Sequence, residues 1–378
     1  MQKDYTALIE QQRHYIEKVL LRDKLRFPRL LFSSKLRNIK RQYKHLEHFE
    51  NKSNDEFLQL AALTDGIDRN GCYRFLNKAL HIFNDFIFEC KYRNNNIKIK
   101  KEMRKSGRNY LSIVCIIKNE ALYIDEWIAF NKIMGVDHIY LFNNGSTDNI
   151  KDVVAKHVQS GYVTFIDFKG ANAQLPLYRL AIRALKKVSR WVAFIDADEF
   201  IIPTGYTLKD YMKNQEVYPG IGINWIVYGT GGHIKRPEGL VAENYLLTFE
   251  DQNNPLNLRI KSIVNPKETY DVSSPHFCIL KKGKYAVDED GKEITAKWMY
   301  TSGSGPAFTE KNKTNKIRIN HYWTKSEQDL HDKCNRGYAA GSFSPDYENI
   351  MKRLDFPQKS DNTIGKYVPK IKETMLQK

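Results

Sequence analysis

The sequence predicts an α/β protein with a mainly parallel sheet covered by helices. Three observations carry that expectation: a short apolar, β-branched run at residues 111–117, a regular alternation of strand-like and helix-like segments after it, and short connections between them. The run Leu111-Ser112-Ile113-Val114-Cys115-Ile116-Ile117 reads as a strand buried on both faces. Residues 120–134 follow as a helix, with Leu122, Trp127, Ile128 and Ile133 as candidate core positions. Residues 138–142 read as the second strand, 148–157 as a helix, 162–168 as the third strand, 174–187 as a helix and 191–195 as the fourth strand. In such sheets ligands bind outside the carboxyl ends of the strands. After Pro203 the alternation fades. Residues 220–228, 258–264, 276–281 and 317–322 read as further strands and 326–336 as an amphipathic helix. The glycine-rich segments 229–232 and 302–306 read as mobile loops.

Before residue 110 the pattern is different. Residues 1–105 read as a mostly helical, basic region, with 98–107 as a linker. The expected division is therefore 1–105, a helical basic region; 106–345, the α/β domain; and 346–378, a helical tail. The chain of 378 residues can bury a full core. Its hydrophobic content of 42% and charged content of 28% are ordinary for a globular protein. The five cysteines are odd in number and no pair has CxxC spacing, which argues against a zinc site or a disulfide framework and for a reducing compartment. No signal peptide is visible and no apolar stretch approaches the roughly 18 residues of a membrane span. A cytoplasmic protein is expected, soluble or peripheral on the inner face of the membrane.

The net charge of +16 is concentrated early: ten basic residues between Lys18 and Lys44 face only Asp23. Interleaved apolar residues such as Val19, Leu20, Phe27 and Leu30 allow docking on an anionic lipid surface. A solvated helix face is the plainer reading. Nucleic acid is not expected as a partner, because no recognised binding motif accompanies the charge.

Three strand-end motifs carry chemistry. Asp196-Ala197-Asp198 follows the fourth strand, so both carboxylates can project into the cleft, and oxygen ligands suit magnesium or manganese. Alone such a triplet is often a solvated turn; its place after a buried strand in an alternating pattern favours a metal site that bridges to a diphosphate. Asn143-Asn144-Gly145-Ser146-Thr147-Asp148 follows the second strand. It makes a tight turn, with Ser146 or Thr147 as a cap and Asp148 in the first helical turn, and its polar groups can also contact a nucleoside. Lys118-Asn119-Glu120 ends the first strand, either as a plain helix start or as a set of groups beside a base and ribose.

In this order, Ile116-Ile117-Lys118-Asn119-Glu120, Asn143 to Asp148 and Asp196-Ala197-Asp198 resemble the family 2-like glycosyltransferases of the GT-A fold, a Rossmann-like, mostly parallel sheet flanked by helices. The later segments Lys261 to Pro266, Ser274-Pro275-His276 and Asn320 to Ser326 are similar to the glycosyltransferase family 92 (DUF23-like) branch. The resemblance covers roughly residues 110–370 and leaves 1–105 outside it. It implies an inverting, nucleotide-sugar-dependent hexosyltransferase that uses a UDP-sugar donor and a divalent metal, manganese or magnesium, and acts on a glycan or lipid-linked saccharide hydroxyl. Polysaccharide or lipopolysaccharide synthesis would suit such an enzyme. By position, Lys118, Asn119, Glu120 and Asn144 would line the nucleoside pocket together with Asp148. Asp196 would approach the ribose or a metal-bound water, and Asp198 would bind the metal. The wider family often has an acid where Asn143 and Asn144 stand.

His321 is a candidate for a further metal ligand, with His276 second; a lone histidine at a strand end is otherwise structural. Lys325, Lys261 and Arg259 can neutralise phosphate or stand as surface charges. Inversion needs a base on the acceptor side. Glu250 and Asp251 are the candidates, with Glu243 and Glu238 as alternatives; Trp225 and His233 can contact an acceptor, and Trp225 can equally be core. Two other functions compete. A nucleotidyltransferase would need a glycine-rich basic signature near the first strand, which Lys118-Asn119-Glu120 lacks, and a non-enzymatic polyanion-binding protein would rest on charge alone.

Overall fold

A computed structural model describes residues 93–170, 173–272, 274–281, 283–294, 308–337 and 346–377. They belong to a compact unit, residues 84–378. The basic segment 18–44, Cys72, Cys90 and the loop 302–306 lie outside the described residues.

The unit begins with α1 (Arg93–Arg104) and continues through β1 (Asn109–Ile117), α2 (Ile124–Ile133), β2 (His138–Asn143), α3 (Ile150–Gln159), β3 (Val163–Asp167), α4 (Gln174–Leu185) and β4 (Ser189–Phe194). Strands β3, β2, β1 and β4 lie side by side in that order, all parallel. Their side chains alternate between two cores with the period of two that a pleated strand imposes. Leu111, Ile113, Cys115 and Ile117 face a core shared with α2 and α3, whereas Val114 and Ile116 face one shared with α1 and α4. A strand covered on both faces cannot alternate polar and apolar residues, and this is the physical reason for the uninterrupted apolar run.

Beyond β4 the sheet changes character. β5 (Glu199–Pro203), α5 (Leu208–Lys213), β6 (Gly220–Tyr228), α6 (Val241–Asn244), β7 (Leu247–Phe249), β8 (Ile260–Val264) and the hairpin of β9 (Thr269–Val272) and β10 (Cys278–Leu280) follow. β8 inserts antiparallel between β4 and β6. β11 (Ile317–Tyr322) runs parallel to β6 and antiparallel to β5. The chain ends with α7 (Glu327–Arg336), α8 (Tyr347–Leu354), β12 (Gln358–Ser360) and α9 (Val368–Leu376). The expected α/β sheet covered by helices is thus present, with its parallel half at β3-β2-β1-β4.

Several local expectations need correction. Residues 98–107 are no linker: α1 runs through most of them, with Ile99 and Met103 buried in the core beside α4. Leu122 is not core but 67% exposed, because the chain makes a turn at 121–123 and α2 starts only at Ile124. Residues 346–377 are no tail. β12 pairs with β7, Ile364 and Ile371 are fully buried, and Arg318 grips Asp361 through two hydrogen bonds of 2.7 and 2.8 Å.

Candidate active site

The carboxyl ends of β1, β2 and β4 meet along one edge of the parallel half, so the loops that follow them become neighbours. Asn119 sits at φ 54°, a left-handed conformation that asparagine tolerates better than most residues. Its backbone amide donates to the Ser146 hydroxyl at 2.9 Å, and its side-chain oxygen accepts from the Thr147 amide at 2.7 Å. Asp148 accepts from the Ala121 amide at 2.8 Å. These three bonds fasten the β1 loop to the β2 loop. They also correct the expected capping: α3 starts at Ile150, its N-cap Asn149 makes no side-chain cap, and Ser146, Thr147 and Asp148 serve the neighbouring loop instead. Asn143 is buried, donates to Asp167 at 2.7 Å and accepts from the Ser146 amide, while Asn144 accepts from the Gly170 amide at 3.1 Å.

Both acids of the triplet lie where β4 hands over to β5, and each meets a lysine. Asp196, with about a third of its side chain exposed, accepts from Lys261 Nζ at 2.7 Å. Lys261 comes from β8 and is 1% exposed, so it lies beneath Asp196 and presents no free charge to a ligand, contrary to the expected phosphate role. The same ammonium stands 3.6 Å from Glu199, a fully buried acid whose pKa is raised, mainly by burial. Asp198 is 7% exposed and accepts from Lys333 Nζ at 2.9 Å, with His321 Nε2 at 3.6 Å from its other oxygen. Burial opposes ionisation of Asp198, but the charges of Lys333 and His321 outweigh it and hold the carboxyl well below its ordinary range.

His321 projects from β11 onto the Trp225 ring, 4.2 Å between centroids. Its Nδ1 is buried without a hydrogen-bond partner, and burial lowers its pKa against the opposing pull of Asp198. A carboxylate oxygen and an imidazole nitrogen 3.6 Å apart fit a shared manganese or magnesium ion. Among the described residues no group of three His, Cys, Asp or Glu side chains is gathered for an ion, so water and phosphate oxygens would complete the shell. His276, the second candidate, faces the Ile260 carbonyl with its Nδ1 at 3.2 Å and packs edge-on against Trp225, 5.1 Å between ring centroids.

The sequence reading missed two residues, both on α7. Lys333 reaches Asp198 and also donates to the Trp323 carbonyl at 2.7 Å. Arg336 donates to the carbonyls of Lys118 (2.7 Å) and Asn119 (2.5 Å) and pairs with the Glu120 carboxylate, while Lys118 Nζ donates back to the Arg336 carbonyl at 2.9 Å. The available signal was their spacing of three on an amphipathic helix, which puts both on one face.

Glu250 and Asp251 are exposed on the turn after β7, where Asp251 accepts from the Asn253 amide, and neither bonds to the Asp196–Asp198 group. Glu243 pairs with Lys372 at 2.6 Å, and Glu238 is exposed. Trp225 is 7% exposed and belongs to the core, while His233 faces the Asn244 carbonyl at 3.1 Å. Lys325 lies over the Tyr123 ring and Arg259 over Phe308, each 4.6 Å from the centroid. Cys115, Cys278 and Cys334 are free thiols.

A glycosyltransferase family 92 protein of Oryza sativa subsp. japonica is 28% identical over 211 residues, 54% of this chain and 35% of that protein. One of Arabidopsis thaliana is 28% identical over 184 residues, 45% of this chain and 31% of that protein. The matches thus span about a third of these relatives' own length. Among solved structures, Staphylococcus aureus TarS 1-349 in complex with UDP gives a TM-score of 0.29 at 16% identity over 42% of this chain and 47% of that one. Glucosyl-3-phosphoglycerate synthase from Mycobacterium tuberculosis, in complex with Mn2+, UDP-glucose and phosphoglyceric acid, gives 0.26 at 14% identity over 43% and 58%. Structural likeness at these scores decides nothing further. The family description "Glycosyltransferase family 92" matches residues 112–336, more than half of the chain, and the chain belongs to that family.

Proposed function

We propose that this protein transfers a sugar from a UDP-sugar to a hydroxyl of a glycan or lipid-linked saccharide, with inversion at the anomeric carbon and with a divalent metal, manganese or magnesium. The observation that carries the reading is the approach of His321 to Asp198, in the Asp196–Asp198 triplet where β4 ends, beside the polar loops that end β1 and β2, in a family 92 chain.

The donor's nucleoside lies along Lys118, Asn119, Glu120 and Asn144, the loops that Asp148 and Ser146 brace. Asp198 and His321 would hold the ion, and Asp196, about a third exposed, would stand beside the ribose or a bound water. When bound, the ion supplies positive charge to the diphosphate as the sugar bond breaks. The acceptor oxygen attacks the anomeric carbon from the face opposite the diphosphate. Its proton passes to a carboxylate, for which Asp251 and Glu250 are the candidates, and the bonding pair leaves with the diphosphate oxygen. The basic region before residue 105 brings the enzyme to the inner, anionic face of a membrane, where a lipid-linked acceptor would lie. Among the described residues no helix is long and apolar enough to cross one.

A panel of nucleotide sugars, screened for metal-dependent hydrolysis and thermal stabilisation, tests the reading. A UDP-sugar should give both signals, and Asp198→Ala should abolish transfer while the fold remains intact. Full wild-type activity after complete metal removal would defeat the metal role; pyrophosphate release from a sugar phosphate and a nucleoside triphosphate would defeat the transfer reaction itself.

A further inference from the structure

We infer that Lys333 binds the donor diphosphate, and that in the free protein its ammonium holds the place beside Asp198 that the donor complex will take. The inference rests on the proposed donor site and adds a residue to it. Asp196 and Asp198 would together repel a diphosphate, yet each is already answered by one lysine, at 2.7 and 2.9 Å. The two lysines differ in reach. Lys261 is 1% exposed on a central strand, walled in between Asp196 and Glu199, so it can fix Asp196 but cannot meet a ligand. Lys333 stands on α7, its side chain 12% exposed, and bonds the outer acid of the triplet and a loop carbonyl.

The helix that carries Lys333 is registered to the nucleoside side of the cleft. One turn further on, Arg336 clasps the backbone of Lys118 and Asn119 and the carboxylate of Glu120. Thus α7 spans from the loop proposed to hold the nucleoside to the acid proposed to hold the ion, and the diphosphate joins those two parts of the donor. A long, flexible ammonium suits that position, because it can pass from carboxylate to phosphate without moving the helix.

The test is calorimetric titration of the full-length protein with UDP, with uridine and with Mn2+ alone, using wild type, Lys333→Arg and Lys333→Met. Loss of one charge-assisted hydrogen bond to phosphate should weaken UDP about tenfold to a hundredfold in Lys333→Met, with or without Mn2+. Uridine, which has no phosphate, should bind unchanged, and Lys333→Arg should keep UDP within about threefold of wild type. Mn2+ without nucleotide should bind about tenfold tighter to Lys333→Met, since a competing cation has gone. A lysine that merely supported the fold would weaken all three ligands together. Lys333→Gln, which drops the charge but keeps a donor, gives the same reading should Lys333→Met not fold. Unchanged UDP affinity in the charge-free variants, beside a wild type that binds UDP, overturns the assignment of Lys333 alone. A wild type that binds no UDP in either condition overturns the donor site as well.

Discussion

Replacing Arg336 with methionine should separate α7 from the β1 loop, and the size of the effect can be worked from the contacts. The substitution removes hydrogen bonds to the carbonyls of Lys118 and Asn119 and the pairing with Glu120 in one step. Fully buried bonds to charged groups are worth about 1.5–3 kcal/mol each, and exposed ion pairs less than about 1 kcal/mol. With 19% and 11% of the two side chains exposed, this pair lies between those limits. Taking about 1 kcal/mol per bond gives a loss near 3 kcal/mol. Chemical denaturation of wild type, Arg336→Met, Glu120→Gln and the double variant isolates the ionic part, with an expected coupling of about 1–2 kcal/mol. Because the same loop is proposed to hold the nucleoside, the KM for the donor should rise more than kcat falls. A coupling below about 0.5 kcal/mol, together with unchanged UDP affinity, would refute the view that α7 braces the donor loop.

Three further perturbations test the fold around the site. Burial raises the Glu126 carboxyl from its ordinary 4.5 to about 7, against the opposing hydrogen bonds from the Ala242 and Val241 amides. Its folded pKa lies above its unfolded value, so its contribution is fully present below pH 4.5 and is lost as pH climbs through about 7. The loss should be on the order of 3 kcal/mol, and Glu126→Gln should flatten that part of a stability profile measured by denaturant melts; an unchanged profile would remove Glu126 as its source. Met103→Ala should cost about 2–4 kcal/mol by the same measurement, because α1 is packed into the core; a loss near zero would detach the helix. Leu122→Lys should change stability by less than about 0.5 kcal/mol, whereas Trp127→Ala, five residues on, should cost about 3–5 kcal/mol.

The parallel half of the sheet was legible because burial on both faces leaves a mark that few other arrangements leave. Residues 111–117 and 138–142 are apolar with almost no break, and the structure makes them β1 and β2 with side chains in two cores. Beyond β4 the sequence located β6, β8, β10 and β11 but not their neighbours, and it did not show β5, β7, β9 or β12. Nothing in residues 260–264 states that they insert antiparallel between β4 and β6, since that register is set by packing with segments far away in the sequence. The C-terminal segment misled for a related reason. Polar residues 358–360 look like a loop, yet they form an edge strand, where exposed polar side chains cost little.

The site divides in the same way, and the division has a physical cause. The acids and amides of the strand-end motifs are adjacent in sequence and could be read together. The cations that answer them are supplied from a distance: Lys261 lies 65 residues from Asp196, and Lys333 lies 135 residues from Asp198. A lysine on a polar helix face looks the same in sequence whether it meets water or a buried carboxylate, because long side chains bury their stems wherever they go. The electrostatic state of the site is therefore a property of the fold, and not of the motif. Asp196 and Asp198 would be a repulsive pair if taken alone; in place, each stands against an ammonium, and only one of those ammoniums lies on an outer helix. The asymmetry separates a lysine that fixes an acid from a lysine that can exchange it for a ligand, and it assigns the two charges of one short motif to different tasks.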